Sequence, residues 1–236
     1  MKNTFDIKYF LIFTLTFIAF TAIGTVTHEY EHILVAKYFG HETSLHYGSM
    51  HYDSELNNEL LEIYEKNQTA IKNNEYFDQK DAYESGIKIL RSQDLWIAIG
   101  EPLQTILIGL VGLVILYFRR NKIKSLGFYT IDWLATFLSL FWLREIFNLF
   151  MSIASEIFLP KGSYFGGDEQ YISQELHLWE GTIPIILGFL GGIISLFVVF
   201  KIIPKHLRLT FIASGFLGSI IGFILWMHIL GPRLLP

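Results

Sequence analysis

The sequence predicts an all-α polytopic membrane protein, and three observations carry that expectation. Five runs, at about 8–28, 95–118, 126–150, 182–203 and 207–230, reach the roughly 20 apolar residues that a helix needs to cross a hydrocarbon core. The chain of 236 residues is 52 % hydrophobic with a mean hydropathy of +0.40, well above the range of soluble domains. Its polar residues are also gathered between the runs, above all in 40–94 and 155–181. The expected organisation is one membrane-embedded domain over 1–236, with a short β-hairpin and a polar helical insert between the first two helices.

The first helix reads from about residue 6 to Phe39, with Gly40 as its stop, so it outlasts the bilayer and carries its last turns to the far interface. A signal peptide is the competing reading of 1–26, but "HILVAKYF" continues the helix where a cleavage site would break it. "HETSLHYGSMHYD" turns about Gly48 and reads as a hairpin. Over 53–94 the chain holds ten acidic and five basic residues. Ser54 stands as N-cap, and Leu56, Leu60, Ile63 and Ile71 form a helical apolar stripe, so a two-helix cap over the outer face is expected. In 155–181, Gly166 and Gly167 make a turn, and Ile172, Leu176 and Trp179 recur at the spacing of a short interfacial helix. The glycines of "LGFLGGIIS" and "ASGFLGSIIG" are small residues spaced for close helix packing.

Charge sets orientation and removes several classes. "RRNKIK" and "KIIPKHLR" hold seven basic residues and no acidic one, which places them and the N-terminus, with Lys2 and Lys8, in the cytoplasm. The polar segments then face the opposite compartment. No basic block is large enough for a nucleic-acid footprint. The absence of cysteine excludes disulfides, thiolate zinc sites and cysteine nucleophiles, so any metal must be held by His, Asp or Glu.

The chemistry sits in "HEYEH", residues 28–32. Two histidines one helical turn apart present their imidazoles on one face and can bind a single Zn²⁺. Glu29 lies about 100° round the helix, within reach of a water at such a metal without being a ligand. Chance, at this chain's own His and Glu frequencies, produces roughly 0.02 copies of the pattern in a chain of this length. An ionisable residue inside a span costs about 3 kcal/mol on insertion scales, yet here such residues cluster on the metal-binding pattern. Glu31 points away from Glu29 and is assigned no role.

On these residues the sequence resembles the site-2 protease family of intramembrane zinc metalloproteases. That family carries His-Glu-x-x-His on its first core helix, then a hairpin, then a helix that opens with a Gly-Pro-x-x-Asn-like element, and takes its third ligand from an Asn-Pro-x-Asp-Gly segment. "HEYEH", "SLHYGSMHYD" and "AIGEPLQTILIGLVGLVIL" match in order over about residues 15–118. Glu101, however, separates Gly100 from Pro102, Thr105 replaces the asparagine, and no Asn-Pro-x-Asp-Gly occurs. The resemblance implies an endopeptidase acting on membrane-spanning or membrane-proximal peptides.

The third ligand is therefore argued from topology. A His₂-carboxylate site needs an acid on the same side as His28, which excludes Asp132 and favours Asp168 in "GGDEQ", a residue that also stands where a helix N-cap would. In the third helix Glu145, Asn148, Ser152, Ser155 and Glu156 share one polar stripe at the depth of the histidines. Glu145 is the runner-up ligand and Asn148 a group that orients a ligand or donates to a scissile carbonyl; helix-to-helix hydrogen bonding is the alternative for the stripe. Arg144 is expected to pair with a buried carboxylate. His41, His46 and His51 read as plain polar loop residues. Two other classes share the motif: a non-enzymatic membrane binding or assembly protein, and a metal-dependent enzyme acting on lipid.

Overall fold

The computed structural model of the chain describes residues 5–160 and 162–236, so Lys2 lies outside the described residues. In order, the elements are α1 (Ile7–Tyr38), β1 (Glu42–Leu45), β2 (Met50–Asp53), α2 (Glu55–Lys72), α3 (Lys80–Leu126), α4 (Thr130–Ser139), α5 (Leu143–Phe158), α6 (Gly167–Glu175), α7 (Thr182–Phe197), α8 (Arg208–Leu225) and α9 (Gly231–Leu234). Five helical stretches are long and apolar enough to cross a membrane: α1, α3, α4 joined to α5, α7 with the π turn after it, and the stretch from Lys205 through α8 to Leu234. Leu15, Val114, Phe189 and Phe216 stand exposed on four of them, an apolar outer surface that suits hydrocarbon.

Local chemistry accounts for the element ends. Asp6 caps α1 by accepting from Lys8 N at 3.0 Å and Tyr9 N at 3.1 Å, and Gly40 leaves the helix at φ +86°, a conformation that glycine adopts without strain. Thr21 and Thr25 inside α1 return their hydroxyls to the helix, Thr21 donating to Phe17 O and Thr25 to Thr21 O, and so remain satisfied at depth. The hairpin pairs Glu42 with Asp53 and Leu45 with Met50. Ser54 Oγ accepts from Asn57 N and starts α2 as expected.

Two boundaries differ from the sequence reading. The second half of the polar insert is not a separate cap helix: it is the N-terminal part of α3, which runs unbroken for 47 residues from polar sequence into the span. A change from polar to apolar composition does not end a helix when neither Gly-Pro nor an αL residue interrupts it. α2 folds back against this extension, with Leu60 seated where a Cβ on Gly86 would come within 2.7 Å of it. The third span runs from Thr130 to Phe158 and contains a 3₁₀ turn at Leu140–Trp142 that separates α4 from α5.

Close helix contacts and an aromatic cluster hold the bundle together. Ser214, Gly218 and Gly222 recur every fourth residue along α8 and admit α1, and a Cβ at Gly218 would lie 2.7 Å from Thr14 O. α3 meets α4 in the same way: a Cβ at Gly112 would stand 2.4 Å from Ser139 N and 2.6 Å from Ala135 O. Near the end of the bundle that holds the basic connections, Phe13, Phe17, Phe137 and Phe211 pack edge-on or tilted, with Phe17 at 5.0 Å from Phe137 and 5.2 Å from Phe211.

Because backbone atoms cannot give way as side-chain tips do, Gly112→Ala and Gly218→Ala each destabilise the bundle, by about 1–3 kcal/mol of overpacking against a gain in helix propensity of about 1 kcal/mol. Gly192→Ala meets nothing within 4 Å and keeps or raises stability. Thermal unfolding of the three variants in detergent measures the contrast.

Candidate metal centre

His28 and His32 project from one face of α1, their ring centroids 4.8 Å apart and their planes near perpendicular at 77°. His32 is buried, and its Nδ1 lies 2.8 Å from Ile97 O. A carbonyl only accepts, so Nδ1 carries a proton, and Nε2 is the nitrogen left to face Asp168. The acceptor belongs to the turn of α3 that Pro102 interrupts, one residue before the carbonyl that the proline deprives of its helical donor. His28 Nδ1 faces Glu101 Oε1 at 3.3 Å, while its Nε2 lies 3.5 Å from Glu29 Oε1. Each histidine thus has one nitrogen turned to an anchoring oxygen and the other toward a common space.

Asp168 closes that space. Its Oδ2 lies 3.2 Å from His32 Nε2, and donor atoms of His28, His32 and Asp168 all fall within 4.8 Å of one another. Asp168 is not the N-cap of its helix: Gly166 takes that place, Gly167 enters at φ +76°, and Asp168 sits in the first turn with its carboxylate directed at His32. Two nitrogens and one carboxylate, without sulfur, form the donor set of catalytic rather than structural zinc, so the residues present fit that ion.

The polar stripe of the third span converges elsewhere. Glu145, the runner-up ligand, joins Glu101 and Glu169 in a second buried group and not the histidines. Asn148 does not touch a ligand either: its Nδ2 donates to Glu169 Oε1 at 2.8 Å. Arg144 finds the expected carboxylate in Glu101, Nε to Oε1 at 2.9 Å. Asp132, at the other end of the bundle, is held by Arg119. His41 contacts Gln93 Oε1 at 3.2 Å, and His46 Nδ1 donates to Pro236 O at 2.6 Å; neither reaches the centre.

Glu101 and Glu169 are the residues that the motif did not single out. Glu101, inside an apolar run and next to a proline, carried the general signal of an acid in a span; Glu169, one position beyond Asp168, carried none of its own. Burial, then the nearby Glu101 carboxylate, push the Glu169 carboxyl up to about 7, against the lowering effect of the Asn148 hydrogen bond.

Two cavities meet at His28, Glu29 and Gly48. One, of about 370 Å³, is walled by Phe17, Phe20, Phe141 and Phe223 and runs among the apolar helices. The other, of about 550 Å³, is walled by Met50, His51 and Tyr52 of β2 together with Asn57, Asp94 and Asp168. Tyr52 donates to Asp94, which ties the hairpin to α3; burial and then that bond raise the Tyr52 hydroxyl above its ordinary pKa. The centre therefore faces a greasy chamber on one side and a polar one on the other. Searches against protein-family models, curated proteins and solved structures find no match to this chain.

Removing Arg144 would leave Glu101 buried with a charge that only His28 faces. Arg144→Met is accordingly expected to cost about 3 kcal/mol. The double variant Glu101→Gln/Arg144→Met should recover a large part of that loss, and a double-mutant cycle of unfolding free energies in detergent reads the coupling.

Proposed function

We propose that the chain is a zinc-dependent intramembrane endopeptidase, similar in plan to site-2 proteases, that hydrolyses peptide bonds in membrane-spanning or membrane-proximal segments. The observation that carries this reading is the convergence of His28, His32 and Asp168 on one point beside Glu29, with His32 anchored through Nδ1 so that its Nε2 is turned to that point.

His28, His32 and Asp168 would hold the zinc, and the bound ion supplies a Lewis acid and brings the pKa of a coordinated water to about 7. Glu29 is the general base. Its carboxylate, 7 % exposed and beside His28 Nε2, takes a proton from the attacking water as the new carbon–oxygen bond forms. It returns that proton to the leaving amine nitrogen as the carbon–nitrogen bond breaks. Ile97 O and Glu101 keep the two imidazoles in register throughout.

A peptide substrate accounts for the two chambers. An apolar flank fits the phenylalanine-walled cavity, and the polar cavity runs beside β2, whose edge away from β1 offers backbone groups to an extended segment. The scissile segment must be unwound, because a hydrogen-bonded helix hides its carbonyls. In this reading the N-terminus is cytoplasmic and the centre faces the opposite side, which the positive connections between spans support.

Protein purified in detergent should contain one equivalent of zinc, lost in His28→Ala and His32→Ala and retained in Glu29→Gln. Cleavage of a reconstituted membrane-peptide substrate should fall about 10²–10⁴-fold in Glu29→Gln and stop on chelation. Monodisperse protein that takes up no zinc overturns the reading. Zinc-loaded protein that cleaves lipid esters and no peptide overturns the substrate class.

A further inference from the structure

Glu101 of α3, Glu145 of α5 and Glu169 of α6 come from three separate elements, yet carboxylate oxygens of all three lie within 4.8 Å of one another. They are 0 %, 1 % and 2 % exposed. Partners satisfy only part of this group. Glu101 Oε1 takes Arg144 Nε, and Glu169 Oε1 takes Asn148 Nδ2. Among the described residues, no N–H or hydroxyl donor reaches either oxygen of Glu145 or Oε2 of Glu101, and the Glu145 carboxyl meets only the neighbouring Glu169 carboxyl. Glu145 thus aims a carboxylate without such a donor into an enclosure already lined by two others.

Charge shows what the enclosure needs. Fully ionised, the three carboxylates would set three negative charges against the guanidinium of Arg144 and the imidazole of His28 in a region screened from water, an excess that either protons or a bound cation must neutralise. One divalent cation does so. The donors are carboxylate oxygens alone, the set preferred by hard cations and not by zinc or copper. The entry to α6 also leaves room for the group, since a Cβ on Gly167 would stand 3.2 Å from Glu169 Oε2.

We propose that Glu101, Glu145 and Glu169 form a second cation site, separate from His28, His32 and Asp168, which takes a hard divalent cation of the Mg²⁺, Ca²⁺ or Mn²⁺ class. Its donors are disjoint from those of the first group, so it stands or falls independently of the zinc reading. Glu101 links the two, since it belongs to the second group and faces His28 with Oε1.

The test uses the full chain in detergent, stripped of metal, loaded with one equivalent of Zn²⁺ and titrated with Mn²⁺, free Mn²⁺ being read by its EPR signal. Expected are about one Mn²⁺ per chain, its displacement by Mg²⁺ or Ca²⁺, and at least tenfold weaker binding in Glu145→Gln with zinc content unchanged. His32→Ala should lose zinc and keep Mn²⁺. Where Glu145→Gln does not fold, Glu169→Gln gives the same reading from the short helix at the edge of the site. Absence of saturable Mn²⁺ binding overturns the proposal, as does binding indifferent to these variants or lost together with zinc in His32→Ala. A protonated-carboxyl infrared band in Mn²⁺-treated wild type that vanishes in Glu145→Gln also overturns it, since protons would then neutralise the group. A chain that takes up no zinc but binds Mn²⁺ through Glu145 sustains this site and sinks the zinc reading alone.

Discussion

The buried acids and histidines of the candidate centre are gathered around one carboxylate with no access to solvent. Glu101 meets Arg144 through Oε1, faces the Nδ1 of His28 with the same oxygen, and shares an enclosure with Glu145 and Glu169. Like charges within 4.8 Å of one another repel by about 3 kcal/mol or more at an effective dielectric of 20, so such a group persists only where protons or opposite charge neutralise it. The bundle brings Arg144 from α5, the histidines from α1 and the acids of α6 to the same depth, and their mutual neutralisation determines how the spans may be rotated. The close glycine contacts between α1 and α8, and between α3 and α4, then set the separations at which those side chains can meet.

Some of this was legible in the sequence, and the division has a physical basis. His28 and His32 needed only the period of a helix to be placed on one face. The hairpin about Gly48 and the cap at Ser54 rest on equally local chemistry. Asp168 could be preferred because topology removed Asp132, although its N-cap role was not realised: Gly166 and Gly167 carry the helix start and free the carboxylate for His32. What escaped was the pairing of distant elements. Asn148 and Glu145 do share a stripe, but that stripe faces Glu169 and Glu101, a matter of helix rotation that no local pattern encodes.

Asp168 and Glu169 illustrate how much one short helix can do. Neighbours on a helix point about 100° apart, so adjacent acids serve two different groups: Asp168 turns to the histidines and Glu169 to the buried carboxylates. A single displacement of α6 would change both at once. The four ionisable residues of "HEYEH" likewise divide, three of them around one centre and Glu31 outside it.

The length of α3 has a mechanical consequence. At 1.5 Å per residue its 47 residues make a rod of about 70 Å, stiff from the water-exposed insert down into the bundle. Asp94, which takes the hydroxyl of Tyr52, Ile97, which holds His32, and Glu101, which faces His28, are mounted on it in succession, the last two at the turn that Pro102 interrupts. A push on the insert therefore arrives at both imidazoles as a movement of their supports. The polar half of α3 is thereby joined, by one continuous helix, to the residues that support both histidines.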